Sequence, residues 1–529
     1  MKKLFYQTKA TLNFFKPEYR DCLSSAKHGL ERESVRIQKD GKMSLTPHPK
    51  FLGSSLKHPL IKTDFAESQI EYATNIHKSI PDALSELTDL HQFTMLGLGD
   101  ELLWPFSMPP VLPADSKIPV GLYGTSKEGR KKEIYRKGLG NRYGRKMQTI
   151  SGVHYNISFD TCLLSKVAEL RYKKPLTIET KSEIYFDTIR NFYRLSPALI
   201  YLFGASSLVD QSFSEPKGKL KTLFKNTLGN QYATTLRLST IGYTSKVQKK
   251  YPISVNSLME YVTDMCHVVS KRYPPYSAFD VKKESQLNDF ILQLENEYYS
   301  LVRPKQVPLG EERVVDALAR RGVEYLEIRL LDLDPFSPIG VEENRLYFLH
   351  LILLYCMMSE SPKSTSLEMK DWQKNQEIVT WEGRKKDAKI KFNGKEIPIP
   401  DFIYQVLVET QTLVDLLDSN NGDGPYSRAW ENQWEKWNDS SSLGSRSQIL
   451  DLELNGFGFR ELGLQLAKSH KKDLLQKKLN PKKIQMYEEM ALNSLTEQMQ
   501  VEDLEGSAIK KNRKPIVLKP LDLCGGAVS

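Results

Sequence analysis

The stretch from Gly29 to Arg36, Gly-Leu-Glu-Arg-Glu-Ser-Val-Arg, limits what this chain can fold into more than any other. Glu31, Glu33 and Val35 alternate with Leu30, Arg32 and Ser34, the period of a strand, so two carboxylates project from one sheet face. Like charges that close repel, and one protonates unless a cation or basic group lies between them. A solvated strand face with Arg32 and Arg36 as partners would need nothing more. The chain, however, repeats the arrangement twice.

In the segment from Thr63 to Tyr72, the residues Asp64, Glu67 and Glu71 form a second carboxylate group. From Gln69 onward the period is two, with Ile70 and Tyr72 on one side and Gln69 and Glu71 on the other, which leaves Asp64 on the approach loop. The third segment runs from Glu324 to Asp334. There Leu326, Ile328 and Leu330 make an apolar face, while Glu327 and Arg329 point together to the opposite side. A fourth, Ser151 to Phe159, sets Val153, Tyr155, Ile157 and Phe159 on one face and His154, Asn156 and Ser158 on the other. Alone, His154 would read as a structural histidine; its alignment with Asn156 on a polar face argues for a site. These strands predict a sheet with one apolar face and one polar, working face.

The strand-like segments are Leu30–Gln38, Gln69–Thr74, Thr149–Phe159 and Gly322–Leu331, and the helical ones Ser79–Gly97, Lys181–Leu202, Ser257–Lys271 and Val341–Met358. Strands and helices do not alternate regularly, which predicts an α+β fold with a mostly antiparallel sheet. No repeat or low-complexity linker divides the 529 residues, so a single catalytic domain over 1–529 is expected. Its core motifs fall within 29–345, after a short helical lead-in over 1–28, with a helical part over about 402–505 and a partly disordered tail over about 506–529. Asn393–Gly394 predicts a surface hairpin.

Composition excludes several classes. No apolar run reaches the roughly 18 to 20 residues of a membrane span, and the N-terminus has no apolar core of signal-peptide length. A cytoplasmic protein without membrane contact is expected. Cys22, Cys162, Cys266, Cys356 and Cys524 are scattered and never form a C-x-x-C pair, which argues against disulfides and structural zinc. The net charge of +10 is dispersed, with only local runs at Lys127–Lys132, Lys471–Lys483 and Lys510–Lys514. Nucleic acid is therefore not an expected partner, and the charge would serve solubility and attraction of anionic substrates. Phosphate-loop, clean dinucleotide, zincin and nucleophile-elbow motifs are absent.

Clustered carboxylates suit hard, oxygen-liking cations, Mg²⁺ or Mn²⁺, which complete their shells with phosphate oxygens and water. A face offering Glu31, Glu33, Asp64, Glu71 and Glu327 is thus a candidate cradle for a metal–nucleotide, since an acidic pocket repels a polyphosphate unless divalent ions intervene. Arg237, Arg303, Lys305 and Arg329 are the basic residues available to meet phosphates; these assignments rest on charge.

With these residues in view, the chain resembles the monofunctional bacterial glutamate–cysteine ligases (γ-glutamylcysteine synthetases). The resemblance rests on Gly29-Leu-Glu-Arg-Glu, Thr63-Asp-Phe-Ala-Glu, Trp104-Pro-Phe-Ser-Met-Pro, Tyr123-Gly-Thr-Ser, Asn141-Arg-Tyr-Gly, Met147 to Asn156, Tyr201-Leu-Phe-Gly-Ala-Ser, Glu295-Asn-Glu-Tyr-Tyr and Asp334 to Val341, and thins to Trp381-Glu-Gly-Arg-Lys beyond. It implies a glutamine-synthetase-like fold, a curved antiparallel sheet forming an active-site funnel wrapped by helices. It also implies ATP-dependent joining of L-glutamate to L-cysteine, the first step of glutathione synthesis, with another amine acceptor on the same fold as the alternative. By motif, Glu31, Glu33, Asp64, Glu71 and Glu327 look like ligands for two or three Mg²⁺ (or Mn²⁺) ions. His154, Asn156 and Arg329 look like glutamate or acyl-phosphate contacts. Phe65, Tyr135, Leu139, Gln148, Tyr243 and Tyr299 match the cysteine pocket. Arg329, Arg237 and His154 are the expected catalytic residues, Arg303 and Lys305 the expected ATP contacts, and a monomer the expected state.

Overall fold

The computed structural model describes Leu4, residues 16–418 and residues 423–509. Its centre is a seven-stranded sheet built from β1 (Ala26–Ile37), β2 (Ile61–Thr63), β3 (Gln69–Ala73), β4 (Leu102–Leu103), β5 (Val153–Phe159), β9 (Val302–Lys305) and β10 (Tyr325–Leu331). A small three-stranded sheet of β6 (Leu208–Asp210), β7 (Lys221–Phe224) and β8 (Thr227–Gly229) and a hairpin of β11 (Lys389–Phe392) and β12 (Lys395–Pro398) complete the strands among the described residues. The central order is β2-β3-β1-β5-β10-β9, with β4 on the far end of β1, and every pairing is antiparallel. The chain is therefore α+β with an antiparallel sheet, as its irregular element order implies.

Register decides what meets on this sheet. Glu31 lies opposite His154, Glu33 opposite Glu71, and Glu327 opposite both Asn156 and Arg303. Because side chains alternate between faces, a matched register puts all these polar groups on one side and Leu30, Tyr155, Ile157, Leu326 and Ile328 on the other. That apolar side is buried beneath the helices Ile178–Phe203 and Glu343–Met358, themselves buried nearly all round. The hairpin expected at Asn393–Gly394 is present, with φ of 49° and 75° at the two turn residues, the left-handed pair that a two-residue turn of this hand requires.

Two expectations change. Cys22 and Cys162 are joined by a disulfide, with Cα atoms 5.7 Å apart, so the reading of the cysteines as unpaired is wrong for this pair. The two cysteines are 140 residues apart in sequence, but they flank the paired ends of β1 and β5, where Ala26 lies opposite Phe159. Spacing along the chain does not reveal that neighbourhood. The helix Pro481–Ile509 also runs on into the stretch expected as a tail, of which the part beyond 509 lies outside the described residues. Of the lead-in expected to be helical over 1–28, Arg20–Ser24 is helical, but 26–28 already belong to β1, and 1–3 and 5–15 lie outside the described residues. Among the described residues no helix is long and apolar enough to cross a membrane.

Candidate active site

The polar face carries two groups of carboxylates. The first joins β1, β5 and β10. His154 Nδ1 lies 3.1 Å from Glu31 Oε2 and 3.7 Å from Glu327 Oε1, and Asn156 Nδ2 donates to Glu31 Oε1 at 2.8 Å. One ligand atom each from Glu31, His154 and Glu327 falls within 4.8 Å of the others. Arg329 donates to Glu327 Oε1 at 2.7 Å, while Lys305 and Arg303 stand 3.5 and 3.9 Å from its other oxygen. That oxygen, Glu327 Oε2, and Asn156 Oδ1 are buried without a hydrogen-bond partner.

The charges fit this geometry. Burial pushes the Glu327 carboxyl up, yet Lys305, Arg329 and Arg303 together hold it well below the usual carboxylate range. Burial acts the same way on Glu31, and its hydrogen bond with His154 brings it below its ordinary value. Burial, followed by Arg329, lowers the imidazole of His154. Ionised carboxylates around a neutral imidazole are a donor set in the protonation state that metal binding requires. The structure thus adds His154 to what the sequence suggested was a carboxylate-only group.

The second group joins β1, β3 and the loop before β3. Glu33 accepts from Gly152 N at 3.0 Å, and burial, then Asp64 and Glu71, push its carboxyl well above the ordinary range. Burial, Asp64 and Glu31 raise Glu71 to about 7. Asp64 itself is paired with Arg136 at 2.6 Å. Beside them, burial and then Arg136 lower Lys132 to about 8, and its ammonium sits 4.5 Å from the centroid of the Tyr123 ring.

Next to both groups the chain folds an aromatic pocket. Gln148 Nε2 donates to the Tyr299 hydroxyl at 2.9 Å, the Tyr243 hydroxyl donates to the Ile150 carbonyl at 2.5 Å, and the Tyr243 and Tyr299 rings lie 5.6 Å apart. Phe65, Tyr135 and Leu139 are buried in one apolar cluster against which Tyr243 packs. A cavity is lined by Arg237, Tyr243, Gln248, Tyr299 and Arg329. Arg237 donates to the Arg329 carbonyl at 2.9 Å, and a Cβ at residue 152 would lie 2.3 Å from its Nη2, so Gly152 is what lets the guanidinium in. Its Nε and Nη1 have no hydrogen-bond partner. Arg303 donates to the Tyr298 and Asn296 carbonyls, which ties it, like Arg237, to the backbone behind the site.

Lys132, Arg136 and Tyr123 were missed. The helix Lys127–Tyr143 begins at Ser126, whose hydroxyl accepts from Gly129 N at 3.1 Å, and it turns Lys132, Tyr135, Arg136 and Leu139 toward the site. Those positions are i, i+3, i+4 and i+7, one helical face. The signal was present, but the segment read as a charge run because basic residues occupy its other face as well.

Fold and site together define an α+β enzyme that works on a carboxylate-lined face of an antiparallel sheet. The sequence profile of the family described as glutamate-cysteine ligase matches residues 12–379. A glutamate–cysteine ligase from Leptospira interrogans (strain 56601) is 44% identical over 483 residues, 91% of this chain and 93% of that protein. One from Alcanivorax borkumensis is 37% identical over 507 residues, covering 94% and 96%. Among solved structures, the Francisella tularensis glutamate–cysteine ligase in complex with AMP superposes with a TM-score of 0.84 at 32% identity, covering 90% of this chain and 94% of that one. A bifunctional glutathione synthetase from Pasteurella multocida shares the fold, with a TM-score of 0.70 at 24% identity, covering 88% of this chain and 55% of that one. The chain belongs to the glutamate–cysteine ligase family.

Proposed function

We infer that this chain is an ATP-dependent ligase joining the γ-carboxylate of L-glutamate to the amine of L-cysteine, giving γ-glutamylcysteine, ADP and phosphate. The observation that carries the reading is the pairing of the Glu31–His154–Glu327 set with the pocket of Arg237, Tyr243 and Tyr299 along one sheet face. A ligase of this kind needs a charged cradle for a nucleotide beside a partly apolar slot for an amino acid.

The donor set fits Mg²⁺ or Mn²⁺. It is mostly carboxylate oxygen with one imidazole, and the unpartnered Glu327 Oε2 and Asn156 Oδ1 add oxygen lone pairs within the same group. Glu31, His154 and Glu327 would hold one ion, and Glu33, Asp64 and Glu71 a second. Bound there, divalent ions would supply neutralisation of phosphate charge that this acidic face otherwise repels.

The chain's own residues do the rest. A γ-carboxylate oxygen of glutamate attacks the terminal phosphorus of ATP, the bond to the ADP oxygen breaks, and γ-glutamyl phosphate forms. Arg329 and Arg237 line the cavity and would offset the charge that spreads over the transferring oxygens, and Lys132 and Arg136 would do the same beside the second carboxylate group. The neutral amine of cysteine then attacks the γ-carbonyl carbon, the bond to the phosphate oxygen breaks, and the amine proton leaves with the departing phosphate. Phe65, Tyr135, Leu139, Gln148, Tyr243 and Tyr299 hold the cysteine, and holding both reactants in one pocket supplies effective concentration.

The test measures phosphate release from ATP with each amino acid omitted in turn. Release is expected only with Mg²⁺ or Mn²⁺ present, and full release only with glutamate and cysteine together. A protein that releases no phosphate with both substrates overturns the reading, and one that prefers another amine over cysteine overturns the assignment of the acceptor.

A further inference from the structure

The helix Pro481–Ile509 lies wholly outside the 12–379 segment that the family profile matches, and it supplies no group to the site. It is nevertheless fitted to the loops that carry the site. Ser54 N donates to Ser494 Oγ at 2.9 Å, and Ser54 Oγ donates to Gln498. Lys57 reaches Glu497 at 3.6 Å and Glu128 at 2.8 Å, bridging this helix and the helix Lys127–Tyr143. Thr125 N donates to Glu502 at 2.8 Å, Lys127 N donates to Glu505, and Gln498 Nε2 donates to the Tyr123 carbonyl at 3.4 Å.

Two glycines show how closely the surfaces meet. Gly53 and Gly124 have φ of 81° and 83°, where side chains are strained. A Cβ at 53 would lie 2.5 Å from Ser494 Oγ and 2.8 Å from Ala491 Cα. One at 124 would lie 1.9 Å from Glu502 Oε1 and 2.1 Å from Gln498 Nε2. At Gly53 the helix backbone itself leaves no room for a side chain, while at Gly124 a side chain would push the Glu502 and Gln498 ends out of their contacts.

The loop so gripped leads straight to the site. The Tyr123 hydroxyl donates to the carbonyls of Asp64 and Thr63, and the ring of Tyr123 lies under the ammonium of Lys132. Thr125 and Lys127 open the helix whose inner face bears Lys132, Tyr135, Arg136 and Leu139. Carboxylates at that first turn also suit the positive end of the helix.

We propose that the helix Pro481–Ile509 is a latch on residues 123–127, with Gln498, Glu502 and Glu505 as positioning residues that set where Asp64, Lys132 and Arg136 stand for the metal–nucleotide. The proposal rests on the reading of that second carboxylate group as part of the ATP site. No reacting atom touches the latch; it acts through the placement of Tyr123 and of the helix Lys127–Tyr143.

The test compares the full-length protein with Glu502→Ala/Glu505→Ala, with Glu502→Gln/Glu505→Gln, and with Gly124→Ala. The alanine pair loses the acceptors, the glutamine pair keeps acceptor oxygens, and Gly124→Ala keeps both carboxylate side chains but strains the left-handed backbone and displaces the Glu502 and Gln498 ends from the loop. The alanine pair and Gly124→Ala are expected to raise KM for ATP about tenfold with kcat within about threefold. They should also speed amide exchange across 123–137 severalfold, while the glutamine pair stays within about twofold of the parent on both readouts. Variants that melt earlier yet keep the parent's KM and exchange at 123–137 overturn the latch, as does a glutamine pair no better than the alanine pair. A parent protein inactive with glutamate, cysteine and ATP strikes the functional reading instead, and the exchange measurement still decides the latch.

Discussion

The glutamates of the two carboxylate groups lie on neighbouring strands of one sheet face, yet their surroundings shift them in opposite directions. Around Glu327, three cations stand within 4 Å, and the carboxyl is held well below its usual range despite burial. Around Glu33 and Glu71, the one close ion pair is Arg136 with Asp64, and the two glutamates are pushed up by burial and by each other's neighbours. Burial alone raises both groups; local counter-charge decides which stays ionised. One group is balanced by the protein. The other is left short of positive charge, and an added divalent ion would do more for it.

The largest expected effect tests the balanced group. Glu327→Gln leaves Arg329, Lys305 and Arg303 without their shared partner, and uncompensated buried charge of this kind costs about 3 kcal/mol of stability. Phosphate release should fall about a thousandfold. Denaturant unfolding of the metal-free variant and the coupled assay check the two parts, and a stable, active Glu327→Gln protein would break the contrast.

Glu71→Gln should do the reverse to stability. The folded-state value near 7 lies above the ordinary 4.5, so between those pH values the folded protein keeps a proton that the unfolded chain has released. The native form therefore loses stability as pH rises through this window. Without metal, Glu71→Gln should equal the parent near pH 4.5 and exceed it by about 1–2 kcal/mol above pH 7, a shift discounted for partial solvent access. Buried histidines such as His28 and His58 titrate over the same window, but they cancel in the difference between the two proteins. Adding Mg²⁺ should shrink the gap or invert it. A gap that is flat with pH would mean the repulsion is not there.

The smallest effect lies in the aromatic pocket, where neither group's charge matters. Tyr299→Phe removes the hydroxyl to which Gln148 donates. KM for cysteine should rise about fivefold, roughly 1 kcal/mol for one neutral hydrogen bond, with KM for glutamate unchanged. Steady-state kinetics with each substrate varied would show it.

The sequence made the strands legible because a polar–apolar alternation with a period of two leaves little choice of face. Glu31, His154, Asn156, Glu327 and Arg329 all face the site as alternation required, and β3 ends within one residue of its expected bound. Register was not legible. That Glu31 meets His154 and Glu33 meets Glu71 depends on which strands are neighbours, and those neighbours are far apart in the chain. The Cys22–Cys162 pair was hidden for the same reason. Arg136 and Lys132 were lost for another: a helix with basic residues on both faces gives little contrast between the side that turns inward and the side that meets water.

The registers of β1, β5 and β10 make the sheet a ruler with two-residue graduations. Shift β5 by one step, and Tyr155 takes the place of His154 beside Glu31 while an imidazole enters the apolar core. A single inserted codon in any of these strands is therefore a change of reading frame in space, erasing the site at one stroke. Insertions should be tolerated in the turns and not in these strands, and laboratory insertion libraries should recover them there alone.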